Sequence, residues 1–267
     1  MLRLLLALLA ASALPGIALA DGLTIGVTPG ALADSVEVAA AEARAAGLDV
    51  TVVEFSDWTT PNVALASGDL DLNYFQHKAF LDNAVAETGF GLADVGLGLL
   101  PNIGLYSAKV DRLDELADGA RVGIASDPVN GGRGLLLLQQ AGLLALREGV
   151  GAQGTLDDVV DNPKDLEIVE IEGPQLVRAL EDVDLAQGYP AHYVNAGQAE
   201  RAGAALLYSG IGDLDFAIRF VSRTDNADDP EIARFVDLYQ SSQAVRDEIH
   251  QSYAENDSLY SLPWLTN

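Results

Sequence analysis

Residues 23–55 read LTIGVTPG (23–30), ALADSVEVAAAEARAA (31–46), Gly47 and LDVTVVEF (48–55). Leu23 to Thr28 is a short apolar run with the pattern of a buried strand, and Pro29-Gly30 turns the chain into an Ala-rich helix over Ala31 to Ala46. Gly47 stops that helix, and Leu48 to Phe55 is a second strand with partial alternation. The order then continues. Pro61 stands at a helix start, where its missing N–H is no loss. Leu70 to Asn73 is a third short strand, and a helix is expected from about Gln76 to Glu87. A second set follows: strand Arg121–Ser126, apolar helix Gly131–Leu146, strand Leu166–Ile171, helix Pro174–Leu180, and strands Asp184–Gln187 and Ala204–Tyr208. The chain ends with strand Ala217–Ser222 and helices Asp229–Tyr239 and Ser241–Ala254. Such alternation predicts βαβ units, hence an α/β fold of mostly parallel sheets flanked by helices. Two sets with a C-terminal return imply two lobes, with crossings near Ile103–Lys109 and Gly210–Phe216. Residues 21–106 with 213–267 would form lobe 1, and 107–212 lobe 2. Ligands of open α/β sheets gather beyond the carboxyl ends of strands, so facing lobes would share a cleft.

Composition bounds the function. The chain has 267 residues, 49% apolar, with 26 Gly and 10 Pro, a globular composition with enough length for two modest cores. Arg3, the apolar run Leu4–Leu14 and Ala18-Leu19-Ala20 before Asp21 form an export-signal pattern over residues 1–20. The alternative is a retained anchor, but the apolar run is shorter than the ~20 residues of a comfortable bilayer span. No Cys occurs, so there is neither a disulfide nor a thiol for a lipid anchor, and the expected product is a soluble periplasmic protein. The net charge of −25 excludes a nucleic-acid partner, which needs clustered Lys and Arg. The scattered acids form no calcium loop and read as a solvated surface.

Catalytic signatures are missing: no G-x-S-x-G, H-E-x-x-H or G-x-x-x-x-G-K-[ST] occurs, and His77, His192 and His250 are the only histidines, none at helical metal-ligand spacing. No metal or cofactor is expected. Two segments suit binding. Asp127-Pro128-Val129-Asn130-Gly131-Gly132-Arg133 follows a strand and opens a helix, whose free N–H groups and dipole attract an anion; Arg133 would add a bidentate clamp on a carboxylate. Equally, Arg133 would serve as a surface ion-pair partner in so acidic a chain. Asn73-Tyr74-Phe75-Gln76-His77-Lys78-Ala79-Phe80 lies where a strand hands over to a helix; Phe75, Phe80 and Trp58 would wall an apolar slot, or else be ordinary core rings.

In these segments the sequence resembles the MetQ/NlpA family, the methionine-binding lipoproteins of ABC importers. The resemblance rests on PNVALASGDLD (61–71), FQHK (75–78), LDEL (113–116), DPVNGGRGLLLLQQAGLLAL (127–146), NPKDL (162–166), PQL (174–176), Tyr239-Gln240-Ser241 and Pro263-Trp264. It implies a two-lobed periplasmic-binding-protein fold, type II-like, that closes on its ligand, with an ABC importer permease as partner and a monomeric, non-enzymatic carrier as product. It places Arg133 at the family's carboxylate-gripping arginine, His77 at its ligand-contacting histidine, and Phe75, Phe80 and Trp58 in its aromatic cage. Asn130 sits inside a matching run, and Tyr74 stands directly before FQHK. Three departures stand out: the anchor cysteine is missing, and two head-group asparagines are replaced. The first lies in the stretch Gln187-Gly188-Tyr189-Pro190-Ala191-His192-Tyr193, which puts Tyr189 and His192 at the site. The second aligns with Ile218. The expected ligand is methionine or a related small carboxylate, with the head-group contacts changed. The alternative from another class is a periplasmic hydrolase or lyase using His77 or His192 as general base. A structural or adhesin-like protein would leave Arg133, His77 and the rings without a joint role.

Overall fold

The computed structural model describes residues 22–266. The segment read as an export signal lies outside them, and among the described residues no helix is long and apolar enough to cross a membrane.

Two five-stranded sheets carry the fold. In the first, strands Val50–Glu54, Leu23–Val27 and Leu72–His77 run parallel, and Ile218–Arg223 lies antiparallel between Leu72–His77 and Leu92–Leu97. In the second, Glu167–Ile171, Arg121–Ala125 and Leu185–Gly188 run parallel, and Gly104–Tyr106 lies antiparallel between Leu185–Gly188 and Leu207–Tyr208. Both sheets follow one plan: the parallel half comes from local βαβ units, while the antiparallel strand is the one by which the chain arrives from the other lobe. Gly104–Tyr106, expected in lobe 1, is hydrogen-bonded into the second sheet, so the chain crosses before Gly104.

Two large apolar cores fill the lobes, the first also taking in Tyr106, Ala186 and Tyr193 of the second lobe. The first packs the strands against helix Ala31–Ala45, whose buried face is largely alanine (Ala31, Ala33, Ala39, Ala40, Ala43) and which lies against helices Pro230–Ser241 and Gln243–Ser252. The second gathers Val122, Ile124, Leu135, Leu138 and Leu185. Helix Pro128–Gln140 begins three residues before the expected start, because Asp127 caps it and Pro128 is tolerated in its first turn. It also ends earlier. Gly142, at φ +70°, takes the left-handed conformation that ends a helix, and Ala145–Leu146 instead pairs with Val159–Asp161. The third strand runs later than expected, over Leu72–His77, and delivers His77 to the cap of helix Lys78–Thr88.

Candidate functional site

Between the lobes, at the carboxyl ends of the parallel strands, lies a cavity of about 70 Å³. A water occupies about 10–15 Å³ on the same measure, so the space suits a molecule of amino-acid size rather than a peptide. Nine of the ten residues expected at the site line it: Trp58, Phe75, His77, Phe80, Asn130, Arg133, Tyr189, His192 and Ile218. The tenth, Tyr74, is a correction. Its side chain points into the first core, where it stacks on Phe220 at 4.1 Å between centroids, and its hydroxyl meets the Leu99 N–H (3.0 Å) and the Tyr239 hydroxyl (3.0 Å).

The first wall is a set of rings on a fixed base. Asn62, Asn73 and Gln76 are buried and close a triangle of amide hydrogen bonds: Asn62 Nδ2 donates to Gln76 Oε1 (2.9 Å), Gln76 Nε2 to Asn73 Oδ1 (3.0 Å), and Asn73 Nδ2 to Asn62 Oδ1 (3.0 Å). This ties helix Thr60–Ser67 to the strand that carries Phe75. Phe75 and Phe80 meet edge to face at 5.8 Å, and Trp58 meets Tyr189 of the opposite wall in the same way at 5.6 Å. Gly173 permits the Trp58 contact, since a Cβ there would stand 2.0 Å from the indole ring.

The second wall is held largely by hydrogen bonds. Asp127 accepts from the Asn130 N–H (2.9 Å) and from Asn130 Nδ2, and Gln187 Nε2 donates to the Asn130 carbonyl (3.1 Å) while Gln187 Oε1 accepts from the Ala125 N–H (3.0 Å). The glycines of NGGRG serve close packing: a Cβ on Gly132 would lie 2.2 Å from the Ala152 carbonyl oxygen, and one on Gly134 would lie 2.5 Å from Gln187 Oε1.

His77 joins the walls. Its Nδ1 accepts from the Phe80 N–H (3.1 Å), so the proton sits on Nε2, which donates to Asn130 Oδ1 across the cleft (3.2 Å). Tyr189 donates to the same oxygen (3.0 Å). Burial, and then the nearby Arg133 cation, push the His77 pKa down to about 3, so the ring is neutral. Burial alone pulls His192 down to about 4.

Arg133 is the cation of the site. It is 5% exposed, its guanidinium lies 4.0 Å from the centroid of Phe216, and its Nη1 is buried without a hydrogen-bond partner among the described residues. Burial lowers its pKa to about 10, opposed by the proximity of Tyr189 and Asp213. It remains charged at neutral pH. The surface ion-pair role is therefore not the one it plays. Phe216, which the sequence reading did not single out, also packs edge-on to His77 at 5.1 Å. Among the described residues no Asp or Glu lines the cavity, and no group of acids and histidines is arranged to hold a metal.

Known proteins share this architecture. The NlpA lipoprotein family model matches residues 23–259. A D-methionine-binding lipoprotein, MetQ, of Salmonella typhimurium is 42% identical over 224 residues, which are 82% of this chain and 81% of that protein. The crystal structure of a methionine-binding protein, MetQ, superposes with a TM-score of 0.83 at 39% identity, covering 87% of this chain and 95% of that one. A nutrient-binding protein from Burkholderia cenocepacia, solved bound to methionine, gives 0.79 at 33% identity, covering 87% and 97%.

Proposed function

The chain belongs to the NlpA lipoprotein family, and from that premise we propose that it is the periplasmic solute-binding component of an ABC importer of the methionine-uptake family, holding methionine or a related small carboxylate between its lobes. The observation that carries the reading is the buried Arg133 guanidinium, with Nη1 unpartnered, beside a cavity walled by Phe75, Phe80 and Trp58. A buried cation without a partner is destabilising by itself and becomes favourable when a carboxylate supplies the missing charge and acceptors. The rings supply an apolar slot for the rest of the ligand. His77–Asn130 and Trp58–Tyr189 bridge the lobes, so closing the cleft and enclosing the ligand are the same event.

The enzyme alternative meets a chemical obstacle. A general base needs a free lone pair, and His77 spends its own on the Phe80 N–H while its one proton is committed to Asn130. His192 has no carboxylate orienting it, and its relatives named above are binding proteins. As partners the reading adds a permease of the inner membrane and a monomeric carrier, exported and released by cleavage after Ala20.

The test is to strip co-purified small molecules from the protein and identify them by mass spectrometry. The expected result is a small carboxylate that raises the melting temperature when returned and is recovered unaltered after prolonged incubation. Recovery of a converted product would overturn the carrier reading.

A further inference from the structure

We infer that the preferred ligand is a monocarboxylate with an apolar tail and no α-ammonium group, such as a 2-hydroxy or α-unsubstituted acid, rather than a zwitterionic amino acid. The inference rests on the carrier reading above and concerns which carboxylate fits.

A zwitterion presents an anion and a cation on adjacent atoms, and a cleft that buries both must answer both. This cleft answers one. Arg133 is buried with Nη1 unpartnered, the arrangement a carboxylate completes. Nothing comparable faces an ammonium: no Asp or Glu lines the cavity among the described residues. The side-chain amide oxygens that would otherwise serve are engaged within the protein, that of Asn130 at both lone pairs and that of Gln76 at one. Asn130 Oδ1 already accepts from His77 Nε2 and Tyr189 Oη. Gln76 Oε1 accepts from Asn62, while its Nε2 donates to Asn62 and Asn73. Ile218, opposite His77 in the strand register, presents only carbon.

What is left are weak neutral groups: the Thr28, Tyr189 and Tyr253 hydroxyls and the His192 ring. Both histidines of the cleft are neutral near pH 7, so neither repels a cation, but neither compensates one. A second buried positive charge beside Arg133 would meet like-charge repulsion and lose its water without a counter-ion. A hydroxyl in the same place needs only one neutral donor and one neutral acceptor, which Thr28 and His192 can provide.

The test is calorimetric titration of the full protein, cleared of co-purified small molecules, with L-methionine, D-methionine, 4-(methylthio)butanoate and 2-hydroxy-4-(methylthio)butanoate. All four share one thioether tail and differ only at the α-carbon. The expected result is that the better of the two ammonium-free acids binds at least tenfold tighter than either methionine enantiomer. If either enantiomer binds as tightly as both acids or more tightly, the inference is overturned and the carrier reading stands. If none of the four binds, the carboxylate site itself is overturned, and the inference with it. Ile218→Asn adds an amide oxygen to the cleft and is expected to narrow the gap at least fivefold by improving methionine binding. An unchanged gap, in a variant whose melting temperature shows it to be folded, would overturn the missing acceptor as the cause.

Discussion

On the first-lobe side the cleft is held by rings, Phe75 against Phe80 and Trp58 over Gly173, whereas the second-lobe side is a chain of hydrogen bonds from Asp127 through Asn130 to Gln187 and Tyr189. The two kinds of wall tolerate change differently. A ring wall needs approximate volume and shape, so exchanges among aromatic and aliphatic side chains retune the slot without dismantling it. A bonded wall is over-determined, because removing one partner leaves another buried polar atom unsatisfied. Arg133 stands in the bonded wall as its exception, with a buried Nη1 that nothing among the described residues satisfies. Affinity for the charged end of the ligand should therefore concentrate in one residue, and fit to its tail should be spread over several.

The sharpest way to break that contrast is Arg133→Met, which keeps much of the volume and removes the charge. Carboxylate binding is expected to weaken at least 100-fold, about 2.7 kcal/mol. The unliganded protein should not suffer. Exchanging a buried charge for a packed apolar group is often neutral or stabilising by about 1–4 kcal/mol, and Arg133 has burial as the main cause of its lowered pKa. Calorimetry and urea unfolding read the two effects separately. A variant that binds normally, or that unfolds while unliganded, contradicts the assignment.

His77 belongs to the ring wall by position and to the bonded wall by its contacts, and pH separates these roles. Its folded pKa of about 3 lies below the ordinary 6.5, so its contribution to stability is complete above about 6.5 and is lost as pH falls toward 3. His192, lowered to about 4, acts in the same direction. Asp127, raised by burial, acts in the opposite one at the acid end. One proton changes the slope by about 1.4 kcal/mol per pH unit. His77→Gln should thus flatten the fall between pH 6.5 and 4 by about 3 kcal/mol over the interval, read from urea midpoints. An unchanged slope means that His77 is charged or solvated in the folded protein.

What the sequence disclosed follows the same division. Residues 23–55 are legible because a buried strand and an Ala-rich helix each write a local pattern. Leu92–Leu97 is not legible as a strand: Gly96 interrupts its pattern, and its pairing partner is Ile218–Arg223, more than a hundred residues away. Phe75 and Tyr74 fall in one cluster of the sequence, yet neighbours on a strand point to opposite faces, and only Phe75 reaches the cleft. Phe216 stands in the single 3₁₀ turn Leu214–Phe216, which has no periodicity to read. Its value lies in where Arg133 is brought to rest.

Two smaller perturbations sharpen the picture of the bonded wall. Gly132→Ala would put a methyl 2.2 Å from the Ala152 carbonyl oxygen, a backbone atom that cannot swing aside, and should destabilise the protein by about 1–3 kcal/mol in urea unfolding. Tyr189→Phe should do less. The lost hydroxyl donates to Asn130 Oδ1, which keeps its bond from His77 Nε2, so no buried acceptor is stranded. The ring remains edge-on to Trp58. About 0.5–1.5 kcal/mol of stability is expected to go, with ligand affinity changed only a few-fold. If affinity falls more than tenfold while stability barely moves, the Tyr189 hydroxyl grips the ligand directly. The bonded wall would then hold a second ligand anchor beside Arg133, and the concentration of affinity in one side chain would no longer describe this cleft.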